Sequence, residues 1–149
     1  MPVSVEVDFD MDPFQKWVER VKREAPKVFD EFLDRSSSLI AETMRMKAPI
    51  RTGYLRDSII IHKSGDTVEV GSTAPYAPYV EFGTRPHIIE PVQASVLAFE
   101  IDGQAVFAKR VQHPGFPGRF FVKSTSEECL PKLQELVLNL YCQLFYGEV

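Results

Sequence analysis

An apolar stripe at helical spacing runs through the first third of the chain and constrains the fold more than any other sequence feature. Such spacing predicts a long amphipathic helix with one buried face. Pro26 lies inside the stripe, lacks an amide hydrogen and clashes with the preceding turn, so the sequence predicts an N-terminal helix or kinked helix pair. The stripe consists of Phe14, Trp17, Val18, Val21, Ala25, Val28, Phe29, Phe32, Leu33, Leu39, Ile40 and Met44.

Both ends of this predicted helix carry sequence signals. Asp12 and Pro13 suit the N-cap and the first helical position, and Gln15 is placed to complete a capping box. The helix should end near Ala48, because Pro49 disfavours the helical region for the residue before it.

Two β-hairpins are predicted after this helix. Residues 58–63 and 67–72 are rich in β-branched side chains and flank a short Ser-Gly-Asp loop. Residues 96–101 and 104–111 flank an Asp-Gly pair, whose residue types suit the positive φ angles of a type I′ turn. We therefore expect two antiparallel hairpins that contribute to one sheet.

A second apolar stripe predicts a C-terminal amphipathic helix. Ser124 and Glu127 offer a capping box at its start, and Pro131 is an alternative first turn. Together these patterns predict an α+β fold with an N-terminal helix or kinked helix pair, an antiparallel sheet built from two β-hairpins, and the C-terminal helix packed on it. The stripe consists of Leu130, Leu133, Leu136, Val137, Leu140, Tyr141 and Leu144.

The remaining segments are predicted to be less regular. Residues 84–95 and 111–120 are dense in proline and glycine, which predicts projecting loops rather than regular elements. Apolar and polar residues alternate near the N-terminus, which predicts a strand or arm within residues 1–11.

Length and composition exclude several classes of function. A chain of 149 residues is expected to form one domain, residues 1–149. The formal net charge of −4 argues against DNA binding driven only by phosphate neutralisation. Cys129 and Cys142 are too few for a disulfide scaffold and are not spaced like zinc ligands, so we expect a reducing setting and no metal or other cofactor. We expect no signal peptide and no membrane span, since no apolar stretch approaches ~20 residues.

Two segments in the middle of the chain carry a family resemblance. Residues 48–59 hold a helix end, a Thr-Gly turn and a Leu-x-x-Ser strand opening, and residues 75–87 hold a tyrosine-rich turn that closes on Glu-Phe-Gly-Thr. In this order they resemble the tail-completion or neck proteins of long-tailed bacteriophages, which are HK97 gp10-like and join the phage head to its tail. The resemblance extends from about residue 48 to about residue 123.

This resemblance implies a structural virion protein that is not an enzyme. Such a protein completes the tail and joins it to the head as part of an oligomeric ring, for which six subunits is one option. The implied partners are other copies of the chain, the head-closure or connector protein, and the tail terminator or tail tube protein. The basic residues in and beside the loops offer, as one reading of the charge distribution, a contact with DNA in a central channel. The implied location is the neck or tail of the virion, after assembly in the host bacterial cytoplasm.

The candidate interaction residues are aromatic, basic or histidine side chains in the turn and the loops, together with one glutamate. Aromatic residues with a polar tip and arginines suit surfaces that become buried on association. The glutamate suits either a turn cap or a salt bridge between subunits. The set consists of Tyr76, Tyr79, Glu81, Phe82, Arg85, His87, His113, Phe116 and Arg119.

Two alternatives from other classes stay open at this point. A nucleic-acid-binding module would use on one face the cations in or beside the loops, Arg85, Lys109, Arg110, Arg119 and Lys123. A small metal-dependent hydrolase would need His87 and His113 with an acidic residue at ligand distance. No nucleophile elbow, phosphate loop or paired-carboxylate signature supports an enzyme.

Overall fold

A computed structural model describes residues 10–147, so the predicted N-terminal strand within residues 1–11 falls almost wholly outside the described part. The described elements are, in chain order, α1 (Asp12–Lys47), α2 (Tyr54–Asp57), β1 (Ile59–Ser64), β2 (Thr67–Ser72), α3 (Ala77–Phe82), β3 (Gly83–Thr84), β4 (His87–Ile89), β5 (Leu97–Ile101), β6 (Gln104–Ala108), β7 (Val111–His113), β8 (Phe116–Pro117) and α4 (Phe121–Tyr146).

Helix α1 is a single helix of 36 residues that continues through Pro26, so a break between two helices is wrong. Packing against α4 along its length explains why the proline is tolerated, since helices in proteins owe most of their stability to tertiary packing. The predicted start is one residue late. Met11 occupies the N-cap, Asp12 is already helical, and Asp12 N donates to Asp10 Oδ1 at 3.0 Å.

The end of α1 follows the sequence prediction. Ala48 is extended, with φ −62° and ψ 126°, as a residue before proline must be. Gly53 then takes a left-handed conformation with φ 87° and turns the chain into α2.

The first hairpin, β1–β2, packs on α1 and closes the core. Its register pairs Ile59 with Ser72 and Ser64 with Thr67. Arg45 Nη2 donates to Ile59 O at 2.8 Å, which fastens β1 to the last turns of α1. The core cluster consists of Ala41, Met44, Ala48, Leu55, Ile59, Ala74, Ala77 and Phe121.

Residues 83–117 form one long irregular hairpin, which we call the β-arm. Three two-stranded antiparallel ladders follow one another along it, β3–β8 at the base, then β4–β7, then β5–β6 at the tip. The turn at the tip has positive φ at Asp102 and Gly103, as predicted for a type I′ turn.

The β-arm corrects two expectations. Segments 84–95 and 111–120 contain four short strands that pair with one another, so the expectation that they lack regular elements is wrong. The two predicted hairpins also form separate two-stranded sheets, because the second lies at the end of the β-arm and not beside the first.

Helix α4 runs antiparallel to α1. Trp17 Nε1 donates to Phe145 O at 3.4 Å near one end, and Lys47 pairs with Glu128 at 2.8 Å near the other. The helix begins at Phe121, so Pro131 is not in its first turn, and the predicted Ser124 cap is not formed. The α+β class, with its N-terminal helix, hairpins and C-terminal helix, is confirmed. No helix in residues 10–147 is long and apolar enough to cross a membrane.

Candidate assembly interface

A buried carboxylate, Glu81, joins the turn after the first hairpin to the start of α4. Its residue is 6% exposed; Oε2 accepts a hydrogen bond from Val122 N at 2.8 Å and Oε1 accepts one from Lys123 N at 3.0 Å. A helix leaves its first amides without internal partners, and a negative charge is stabilised at that end. Glu81 is therefore the N-terminal cap of α4.

Backbone hydrogen bonds reinforce the same junction. Arg119 N donates to Val80 O at 2.8 Å, and Phe120 N donates to Glu81 O at 3.1 Å. Phe120 has a positive φ of 51°, a left-handed conformation that turns the chain from the β-arm into α4. The base of the β-arm is thus fixed to the helical part of the molecule.

Two glycines allow the strands at the base of the β-arm to approach each other. Gly83 and Gly115 have φ angles of +77° and +78°, which residues other than glycine rarely adopt. A Cβ on Gly83 would also lie 2.6 Å from Gly118 N, and one on Gly115 would lie 2.8 Å from the carbonyl carbon of Arg85. Larger residues at these positions would therefore force the strands apart.

An open groove of about 810 Å³ lies between α3 and the base of the β-arm, and we call it the arm groove. The aromatic and cationic side chains in it suit a surface that becomes buried on association. Those side chains are Tyr76, Tyr79, Arg85, His87, His113 and Phe116.

A second groove, of about 620 Å³, follows the turn between α1 and α2, and we call it the turn groove. Arg119 lines it, together with Ile50 and the Thr-Gly turn. Tyr76 and Val80 line both grooves, and the Tyr76 ring lies 6.1 Å from that of Tyr54. The two grooves therefore form one continuous concave surface.

The histidines of the arm groove pair with each other across the β4–β7 ladder. The ring centroids of His87 and His113 are 5.0 Å apart. His87 Nδ1 lies 2.9 Å from Arg85 O, to which it donates, and His113 Nδ1 accepts from Gly115 N at 3.0 Å. The Nδ1 atoms of both histidines are thus engaged in hydrogen bonds with the backbone. In residues 10–147 no group of three or more histidine, cysteine or acidic side chains is placed to hold a metal ion.

The distal part of the β-arm is exposed on one face and half-buried on the other, where Leu97, Phe99 and Val106 lie. No side chain of β5 or β6 is buried, and the two strands make their main contacts with each other. Opposed residues of a ladder share a face, so one face is apolar and the other holds Ala98, Glu100, Ala105 and Phe107. We call the apolar side the arm face; it consists of Leu97, Phe99, Ile101, Val106 and Ala108, with Gln104 at its tip.

The two long helices leave an apolar groove of about 430 Å³ between them, which we call the helix groove. Its lining is entirely apolar or aromatic, and Phe29, Val137 and Tyr141 remain exposed in it. The full lining is Ala25, Val28, Phe29, Phe32, Val137, Leu140, Tyr141 and Leu144.

The chain exposes far more surface than a compact monomer of its length. Its accessible surface is 11919 Å², whereas a folded monomer of this size exposes about 7,700 Å². Residues 1–9 and 148–149, even if fully extended at about 160 Å² each, would add only about 1,800 Å². The excess is of the size that several protein–protein contacts bury.

Several acidic side chains on the long helices already have partners within the chain. Lys47, with Lys132, holds the pKa of Glu128 at about 2. The carboxylate of Asp34, with that of Asp30, raises the pKa of Lys63 on β1. These acidic side chains therefore already have cationic partners within the chain.

The structure brings together most of the side chains that the sequence singled out. Six of them line the arm groove, and Arg119 lines the adjoining turn groove. Phe82 is 73% exposed on α3 and lines neither groove. Glu81 is buried, and of the two roles considered for it, a cap within the chain is the one whose contacts are present.

Sequence reasoning missed the arm face as a unit and the helix groove. It also missed the pairing of residues 83–89 with residues 111–117. One signal for that pairing was available, because Ile88, Ile89 and Val111 continue the β-branched pattern on both sides of the tip hairpin, beyond the prolines.

Comparison with known proteins gives one family match, which lies in the N-terminal part of the chain. The family model described as "Bacteriophage HK97-gp10, putative tail-component" matches residues 12–83, from the first residue of α1 to the first residue of the β-arm. Comparison with curated proteins and with solved structures gave no match. This match confirms the resemblance to the HK97-gp10-like phage tail components over residues 48–83 and extends it back to residue 12, whereas residues 84–123 lie outside the match.

Proposed function

We propose that this protein completes the phage tail and joins it to the head as one subunit of an oligomeric ring. The family match indicates a structural component of a phage tail. The observation that carries the finer role is the β-arm, whose distal ladder has no buried side chain. A lone two-stranded ribbon is at best marginally stable in water, so it needs a partner to cover it.

The grooves at the base of the β-arm supply the second kind of contact. The arm groove and the turn groove form one concave surface lined by tyrosines, a phenylalanine and arginines, residue types that dominate binding energy in protein interfaces. We assign this surface to a different virion protein, the head-closure protein or the tail terminator. In this scheme the protein meets its partners in the host cytoplasm and remains in the neck of the virion.

No observation favours the two alternative functions, a nucleic-acid-binding module and a metal-dependent hydrolase. Arg110, one of the five loop cations, lies 3.7 Å from Glu90, an opposite charge that weakens its field. The Nδ1 atoms of His87 and His113 are both hydrogen-bonded to backbone groups, and no third ligand completes a metal site in residues 10–147. A steep loss of DNA binding with added salt would revive the nucleic-acid reading.

Deletion of the gene in the phage tests the proposal, with the parent gene on a plasmid as the control. We expect electron micrographs of the deletion lysate to show DNA-filled heads and finished tails that are separate. If the deletion lysate contains as many complete particles as the parent lysate, the protein is not needed to join heads to tails. Tails of abnormal length would place its action in tail growth instead.

A further inference from the structure

Two apolar surfaces of this chain have no partner among residues 10–147. One is the arm face at the end of the β-arm, and the other is the helix groove between α1 and α4. They differ in shape, since one is a flat ribbon and the other is concave. The family match ends at Gly83, so the β-arm and α4 both lie outside the matched segment.

We infer that the arm face of one copy docks in the helix groove of the next copy, an inference that rests on the proposed ring. A head-to-tail contact joins two different surfaces, and repetition of it closes a ring when the rotation permits. One such contact covers both apolar surfaces on every subunit. A contact between two arm faces would leave the helix groove open.

The dimensions suit this contact. The returning strand of the β-arm, from Gln104 to Pro117, reaches about 43 Å at about 3.3 Å per residue. Helix α4 has 26 residues and is about 39 Å long at 1.5 Å per residue. The whole β-arm is therefore about as long as the helix pair of an adjacent copy.

The surface area and the charges support a second copy as the occupant. A standard interface buries about 800 Å² per partner. The accessible surface beyond that of a compact monomer is enough for two such contacts on each subunit of a ring, one through its arm face and one through its helix groove. Two acidic side chains of α1 that neighbour the groove residues in sequence are paired within the chain, Glu24 with Lys27 and Glu31 with Arg35. An apolar ribbon therefore meets few unpaired charges there.

Four single variants of exposed residues separate this contact from others. Ile101→Asp places a charge on the arm face, and Phe107→Asp places one on the opposite face of the same ribbon as its control. Val137→Asp places a charge in the helix groove, and Leu130→Asp places one elsewhere on α4 as its control. All four side chains are at least 48% exposed, so each variant should fold, which circular dichroism and thermal melting would verify.

The assay is molar mass by light scattering at high protein concentration, with chemical cross-linking before separation to trap weak complexes. We expect Ile101→Asp and Val137→Asp to be monomeric while the parent and both controls assemble. A mixture of Ile101→Asp with Val137→Asp should give a one-to-one dimer, because one variant keeps its groove and the other keeps its arm. No dimer in the mixture, assembly of either variant alone, or a monomeric parent would overturn the inference.

The same variants in a complementation assay separate this inference from the proposed function. If Val137→Asp stops self-association and the phage still grows normally, the contact stands and the proposed function fails. If both variants assemble as the parent does, the contact is wrong, and the gene-deletion phenotype still decides the function.

Discussion

Removal of the Glu81 carboxylate is the most informative single change, because this side chain ties the β-arm and α4 together. Glu81→Ala loses two hydrogen bonds, at 2.8 and 3.0 Å, from amides at the first turn of α4. Loss of an N-terminal cap costs about 0.5–2 kcal/mol. Because the acceptor is charged and buried, each bond is of the stronger, charge-assisted kind, worth about 1.5–3 kcal/mol.

A total loss of about 3 kcal/mol follows for Glu81→Ala, since the freed amides regain part of this from water. For a chain of this length that lowers Tm by about 6–12 °C. Glu81→Gln keeps an acceptor oxygen but loses the charge, so we expect a loss of about 1–2 kcal/mol. Thermal unfolding followed by circular dichroism measures both.

Glu127→Gln is the matched control, because Glu127 lies on the same helix in an exposed 3.9 Å pair with Lys123. We expect its stability to stay within about 0.5 kcal/mol of the parent. If Glu81→Ala melts at the same temperature as Glu127→Gln, the capping argument is wrong. If it then also fails to assemble, Glu81 is an interface residue, as its place in the tyrosine-rich turn first suggested.

Three further predictions follow from the same geometry. Gly83→Val should lower Tm far more than His87→Ala, because a Cβ at Gly83 would meet the backbone of the opposite strand whereas His87 is exposed. Equal melting temperatures for the two variants would contradict this prediction. The double change Phe116→Ala with Arg119→Ala should leave Tm within a few degrees of the parent, since exposed side chains usually contribute at most about 0.5 kcal/mol. The same variant should fail to complement a phage that lacks the gene, because both side chains are proposed to bind a partner. Normal complementation would show that neither residue belongs to the interface. The pKa of Glu128 is lowered from 4.5 to about 2 by Lys47 and Lys132, so this carboxylate stabilises the fold above pH 4.5 and the effect is lost as pH falls through about 2. The Tm difference between the parent and Glu128→Gln should accordingly be full at pH 7 and shrink toward pH 2, and a difference that does not change with pH would refute the pairing.

Features fixed by neighbouring residues were predictable from the sequence. Pro49 ends α1, and the Asp-Gly pair at residues 102–103 makes the tip turn, because each acts on its own backbone. Pro26 shows the limit of such local rules, since packing of α1 against α4 outweighs one missing hydrogen bond.

Features that depend on distant residues were not predictable. Glu81 caps α4 from 41 positions before Val122, so no local capping pattern indicates it. The predicted capping box of Ser124 and Glu127 places the start of α4 four residues late. The strands at the base of the β-arm are two or three residues long and are interrupted by prolines, so each looks like a loop until its partner is known. The arm face became visible only once the register of β5 and β6 was known.

The most direct test of the β-arm as an assembly device is to shorten it. Replacing residues 90–110 with a two-residue Asn-Gly turn would keep the β4–β7 ladder, which ends at Ile89 and Val111, and remove only the ribbon whose main contacts are internal. We predict that the shortened protein melts within a few degrees of the parent and that the phage carrying it yields separate heads and tails, as the gene deletion does. A shortened protein that folds and supports normal phage yield would contradict the account.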